Sequence, residues 1–140
     1  MSFGMLLHKS DGTLRYSHAG DAGFKLVLEV DPGIASFCRA MMPKYITLNP
    51  QRYAPHISVV RHEHSVNMEH WGKYEGQQVE FEYTNYVHNG RVYWWINAFS
   101  TRLEEIRVEL GLYVHDKYTQ PPDGYLKCFH ITLANCKLLT

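Results

Sequence analysis

Alternating and clustered apolar positions divide the chain into short strands and two helices. Runs at Phe3 to Leu7 and Thr13 to Tyr16 are joined by Lys9-Ser10-Asp11-Gly12, and because Asp-Gly is a strong turn pair the pattern predicts a small N-terminal hairpin. Phe24 to Val30 is dense in aliphatic and β-branched residues and predicts a half-buried or central strand. Asp31 then offers an N-cap, with Pro32 at the first helical position. Ile34, Phe37, Cys38 and Met41 follow at helical spacing, so an amphipathic helix is expected up to Pro43. After a polar loop carrying Pro50, the run Pro55 to Val60 predicts a strand. Arg61 to Gln77, punctuated by Gly72 and Gly76, reads as a loop with a short helical turn.

Two aromatic-rich runs, Val79 to Tyr86 and Arg91 to Phe99, flank His88-Asn89-Gly90. Asn-Gly is the preferred pair of a type I′ turn, so these runs predict a hairpin. Thr101-Arg102-Leu103-Glu104 has the form of a capping box. Leu103, Ile106 and Leu110 then line one helix face, and Gly111 supplies the stop. His115 to Gly124, with Pro121 and Pro122, is loop, and Tyr125 to Asn135 returns to strand. The two halves thus share one order of strand, helix, proline-bearing loop and strand. Such a repeat predicts an α+β fold of two similar, antiparallel-sheeted lobes that face each other across a pseudo-twofold axis around a central cleft.

The chain has 140 residues, which fits one domain over 1–140 with a core large enough to need no staples. With 14 Lys+Arg against 14 Asp+Glu, it lacks the positive charge that a long nucleic acid would demand. No run approaches the roughly 20 apolar residues of a membrane span, and the first residues lack the pattern of a secretory signal, so a soluble, cytoplasmic protein without a membrane partner is expected. Cys38, Cys128 and Cys136 are odd in number and show no CxxC, so they read as reduced core thiols. Ten tyrosines, three tryptophans and nine histidines remain to be explained.

The last strand of each half carries the same motif, His56-Ile57-Ser58-Val59 and His130-Ile131-Thr132-Leu133. Strand side chains alternate faces, so each motif sets an imidazole and a hydroxyl on one side and apolar residues on the other. By composition such a motif should arise by chance about 0.2 times in the chain, so two copies in matched places carry weight. Two histidines and two hydroxyls are what metal-free phosphodiester cleavage requires: a base for the attacking oxygen, an acid for the leaving oxygen, and donors for the non-bridging oxygens. Imidazole serves as both base and acid near neutral pH. No cofactor or metal is expected, and the motifs do not say which histidine is the base.

On these motifs the chain resembles the 2H phosphoesterase superfamily, the LigT-like fold, whose signature is two His-x-Ser/Thr motifs on facing strands of two pseudo-symmetric lobes. Within it, the small size, balanced charge and aromatic-rich hairpin are similar to the tailed-phage anti-CBASS phosphodiesterases, from which Ser58 departs, Thr being usual there. The resemblance implies the bilobal fold, catalytic His56, Ser58, His130 and Thr132, and cleavage of 3′,5′ bonds in small cyclic oligonucleotide immune signals in the host cytoplasm. A 2′,5′-linked oligonucleotide or a 2′,3′-cyclic phosphate from RNA processing suits the same four residues.

A nucleotide substrate would also employ aromatics, since stacking a base on a ring is worth about 1 to 3 kcal/mol. Tyr93 and Trp95 share one face of their strand and Trp94 lies on the other. Tyr16, Trp71, Tyr74 and Tyr125 lie in loops or at strand ends, and with Tyr93 and Trp95 they are the candidate base contacts. Lys9, Arg15, Arg52, Arg61, Arg91 and Lys127 are the cations that could gather at a cleft. Two other readings compete. His62-Glu63-His64 with Glu69-His70 could hold a metal, although the bland reading is a solvated loop, and a sheet with aromatic platforms could bind RNA or nucleotides without turnover.

Overall fold

The computed structural model describes residues 6–18, 23–42, 49–50, 54–63, 66–115 and 119–135. The aliphatic run becomes β2 (Phe24–Val30), in which Leu26, Leu28 and Val30 are buried while Lys25, Val27 and Glu29 point the other way. The other strands are β1 (His8–His18), β3 (Asn49–Pro50), β4 (His56–Glu63), β5 (Gln78–Tyr83), β6 (His88–Asn89), β7 (Tyr93–Phe99) and β8 (Phe129–Asn135). Two helices complete the fold, α1 (Pro32–Ala40) after β2 and α2 (Thr101–Glu109) after β7.

All strand pairs are antiparallel, in the order β3-β8-β4-β2-β1-β5-β7-β6, and β8 also pairs with β7. Strands β8, β4, β2, β1, β5 and β7 therefore form a closed barrel, with β3 and β6 as short additions. The fold is α+β with antiparallel sheet, as expected, and the two pseudo-repeated halves are continuous in one barrel. Strand β1 pairs with β2 and β5, and β8 pairs with β4 and β7, so the halves β1-β2-α1-β4 and β5-β7-α2-β8 are joined along both seams. The interior is filled by fully buried Leu14, Leu26, Leu28, Ile57, Ile96 and Ile131.

The sequence repeat is physical. Ile57 pairs with Ile131, and the offset between them is the one that takes His56 to His130, so equivalent residues of the two halves meet on a pseudo-twofold axis. Each half also carries the same bulge. Leu26 and Val27 oppose Val60 and Ser58, leaving Val59 extra, and Trp94 and Trp95 oppose Ala134 and Thr132, leaving Leu133 extra.

Other local expectations are revised. Asp11 and Gly12 do not turn the chain but lie inside the long β1. A Cβ on Gly12 would stand 2.4 Å from the Glu29 carbonyl oxygen, so glycine here permits close strand approach. Residues 3–5 of the expected hairpin lie outside the described residues. The Asn-Gly pair does sit in a hairpin, between β6 and β7, but Asn89 is paired with Trp94 and the connection begins at Gly90, whose N–H donates to the Tyr93 carbonyl. Helix α1 has the expected Asp31 cap, with Oδ1 accepting from the Gly33 N–H at 2.8 Å. Its buried stripe is Ile34, Ala35 and Cys38, while Phe37 and Met41 are exposed. In α2 the cap is Ser100, one residue before the expected Thr101, and Gly111 ends the helix with φ +80°.

Helix α2 also ties down the two motif strands. Buried Arg107 donates to the Val59 carbonyl of β4 at 2.7 Å and makes two bonds to the Glu63 carboxylate. Buried Glu104 accepts from the Leu126 and Lys127 N–H groups, just before β8 begins. Charged side chains are buried here because each has its partners.

Candidate active site

The pairing of Ile57 with Ile131 fixes what lies on the opposite face of the barrel wall. On either side of this single bridge, Ser58 lies toward the His130 end and His56 toward the Thr132 end. Alternation puts all four motif side chains on the face opposite to Ile57 and Ile131, in a patch around that bridge. His56, Ser58 and Thr132 are half-buried and His130 is exposed. The apolar partners Ile57 and Ile131 face the core, as the alternation requires.

The neighbouring strands extend the patch into two rows. One runs Glu29, His56, Thr132, Trp95, His88 across β2, β4, β8, β7 and β6; the other runs Val27, Ser58, His130, Asn97. The His56 Nδ1 lies 2.9 Å from the Ala54 carbonyl, which can only accept, so the neutral ring carries its proton on Nδ1 and its lone pair on Nε2. Trp95 lies between two imidazoles, its centroid 5.3 Å from the His130 ring and 5.8 Å from the nearly parallel His88 ring. Tyr86 meets His88 edge-on. The His88 Nε2 accepts from the Asn97 amide at 3.2 Å, and burial pushes the imidazole below its ordinary value, so the ring stays neutral near pH 7. The Asn97 Oδ1 is buried without a partner beside His130.

Of the six candidate base contacts, Tyr93 and Trp95 share the motif face, while Trp94, on the other face of the strand, packs against the core. Tyr16, Trp71 and Tyr74 do not join the patch. Tyr16 pairs with core-facing Leu26 and meets Trp71 edge-on at 5.0 Å, and the Tyr74 hydroxyl donates to Glu109. All three pack against the core because the 71–74 turn folds over the barrel instead of standing away from it. Tyr125 stacks on Phe99 and donates its hydroxyl to Glu82; burial first, and then that bond, push its pKa up to about 12. It belongs to a cavity of about 460 Å³ lined also by Lys9, Glu80 and Arg102, to which none of the four motif residues contributes.

Among the cations, Arg61 shares the motif face, paired in register with Lys25. Arg15 holds Glu29 at 2.8 Å and Glu75 at 3.1 Å. Arg52 lies outside the described residues. Of the residues in the metal reading, Glu63 is held by Arg107, His70 Nδ1 lies 3.4 Å from the Glu109 carboxylate, and the His62 backbone is left-handed at φ 52°. His64 lies outside the described residues, among which no group of three or more ligating side chains could hold a metal.

Glu29, Lys25, His88 and Asn97 were not singled out from the sequence. The spacing between the two motifs could not find them, because it does not carry over to β2 and β7, where Glu29 corresponds to Asn97 only through the strand register. No family model, curated protein or solved structure matches the chain.

Proposed function

We propose that the protein is a metal-independent phosphodiesterase of the 2H type. Its substrate is a small nucleotide that keeps a ribose 2′-OH, with cyclic di- and trinucleotide signals as the first class and phage evasion of host immunity as the role. The observation that supports this reading is the pairing of Ile57 with Ile131, the central residues of the two motifs, on adjacent antiparallel strands. The two halves of the barrel stand for the two lobes of the family.

The chemistry follows from the groups present. Nε2 of His56 takes the proton of the 2′-OH, since its lone pair is fixed there by the bond from Nδ1 to Ala54. The 2′-oxygen attacks the adjacent phosphorus in line and the bond to the 5′-oxygen breaks. Protonated His130 delivers its proton to that oxygen, and Ser58 and Thr132 donate to the non-bridging oxygens. The first product is a ring-opened isomer of the substrate with a 2′,3′-cyclic phosphate and a 5′-OH. Water then opens the cyclic phosphate with the histidine roles reversed.

The test compares ribose and 2′-deoxyribose cyclic dinucleotides in excess EDTA, with wild type, His56→Ala and His130→Ala. The proposal expects turnover of the ribose substrate by wild type alone. Turnover that EDTA abolishes, or cleavage of the deoxy substrate, overturns it.

A further inference from the structure

The pseudo-twofold axis makes the four motif residues nearly symmetric, but it maps unlike residues onto each other on either side. On β2 and β4, Lys25 pairs with Arg61. The equivalent positions on β7 and β8 hold Tyr93 paired with Asn135. One step nearer the motifs, Val27 beside Ser58 maps onto Trp95 beside Thr132. The patch therefore carries two cations, Lys25 and Arg61, at one corner of its β2–β4 side, next to a Glu29 that Arg15 holds, and aromatic rings on the β7–β6 side.

The local backbone keeps the cations on this face. The bulge at Val59 buries both Val59 and Val60 and returns Arg61 to the side of Ser58. Glu63, two residues after Arg61 and past the left-handed His62, gives its carboxylate to Arg107 on α2 and to the Arg61 backbone N–H. On the other side, Gly90 lets the hairpin turn sit against the Trp95 ring, where an added Cβ would stand 3.3 Å from Cζ3.

Resting on the phosphodiesterase reading, we infer that the site is polar and takes a ligand with two phosphodiesters. The scissile phosphate lies over the β4–β8 seam, its neighbouring base lies against Trp95 and Tyr93, and the second phosphate lies on Lys25 and Arg61. A symmetric cluster cannot choose between two orientations of a ligand, whereas unlike flanks can. A guanidinium and an ammonium favour phosphate, and aromatic rings favour a base. A mononucleoside 2′,3′-cyclic phosphate would fill only the seam and the aromatic flank.

The experiment measures KM and kcat of wild type, Lys25→Gln/Arg61→Gln, Arg61→Lys and Trp95→Ala. The probes are a cyclic diribonucleotide and a mononucleoside 2′,3′-cyclic phosphate, each at low and high salt. The double variant should raise KM for the cyclic dinucleotide about tenfold, since bonds to charged groups on an exposed face are individually modest, with kcat little changed. Its KM for the mononucleotide should not move, Arg61→Lys should retain most of the preference, and Trp95→Ala should weaken both probes. High salt should raise the wild-type KM for the dinucleotide alone. An equal loss on both probes, or no loss on either, overturns the inference while leaving the phosphodiesterase reading in place. If wild type cleaves neither probe, that reading fails and this inference fails with it.

Discussion

Replacing Arg107 with methionine keeps the aliphatic stem in the wall of α2 but removes every bond the guanidinium makes. Those bonds run to the Val59 carbonyl at 2.7 Å, to the Tyr113 carbonyl at 2.7 Å, and to the two Glu63 oxygens at 2.7 and 3.1 Å. The Arg107 side chain is 7% exposed and that of Glu63 is 31% exposed. Breaking a buried ion pair from one side costs about 3 to 5 kcal/mol, and because Glu63 can recover some hydration the lower figure, about 3 kcal/mol, applies. For a chain of this size that lowers Tm by about 12 °C, at about 4 °C per kcal/mol. Thermal and urea unfolding followed by circular dichroism measures it. Glu63→Gln in the Arg107→Met background should cost much less than in wild type, because the two side chains share one interaction. A loss under about 1 kcal/mol for Arg107→Met, or full additivity of the pair, would refute the view that α2 holds β4 through this contact. Since the bond to Val59 sits on the bulge beside Ser58, the variant should also lose turnover at temperatures where it remains folded.

Other predictions follow from the same geometry. His56→Ala and His130→Ala should each lower kcat by about 10² to 10⁴, the range of a positioned acid or base, and the double variant should fall little further; independent, multiplying losses would contradict a shared step. Gly12→Ala should destabilise the fold by about 3 kcal/mol or more in urea unfolding, because its methyl would collide with the Glu29 carbonyl on the paired strand; a near-neutral effect would place β1 in another register. The pKa of His88 is lowered by burial, so below about 6.5 the unfolded chain takes up a proton that the folded chain refuses, and stability is full above that pH and falls as pH drops through it. His88→Gln should flatten that part of the stability curve between pH 7 and pH 5, and an unchanged slope would contradict the buried neutral ring.

The elements legible in the sequence were those set by local chemistry. The Asp31 cap with Pro32, the apolar face of α2 and the dense strand Phe24 to Val30 each follow from short-range rules and are present. The pairing of a turn-forming dipeptide with its surroundings was less legible. Asp11-Gly12 has turn chemistry, yet the glycine serves a close approach to a strand that only tertiary structure supplies. Barrel closure was likewise invisible, since the β1–β5 and β7–β8 pairings join distant segments and leave no local mark. The motif histidines were legible because the repeat reports a long-range relation inside the sequence itself. Tyr16, Trp71 and Tyr74 misled because aromatic composition does not tell a stacking platform from a core. Buried Glu104 and Arg107 were hidden because their partners, backbone groups and the Glu63 carboxylate, lie in distant segments of the chain.

The central claim is that the convergence of His56, Ser58, His130 and Thr132 cleaves a phosphodiester by 2′-OH attack. It is tested most directly by following one cyclic diribonucleotide with purified protein in EDTA, resolving products by chromatography and mass. The account predicts a first product of unchanged mass and altered retention, followed by a species heavier by one water, with both absent in His56→Ala and His130→Ala. A product that gains water from the outset without the isomer, or one that still forms in either histidine variant, would contradict it.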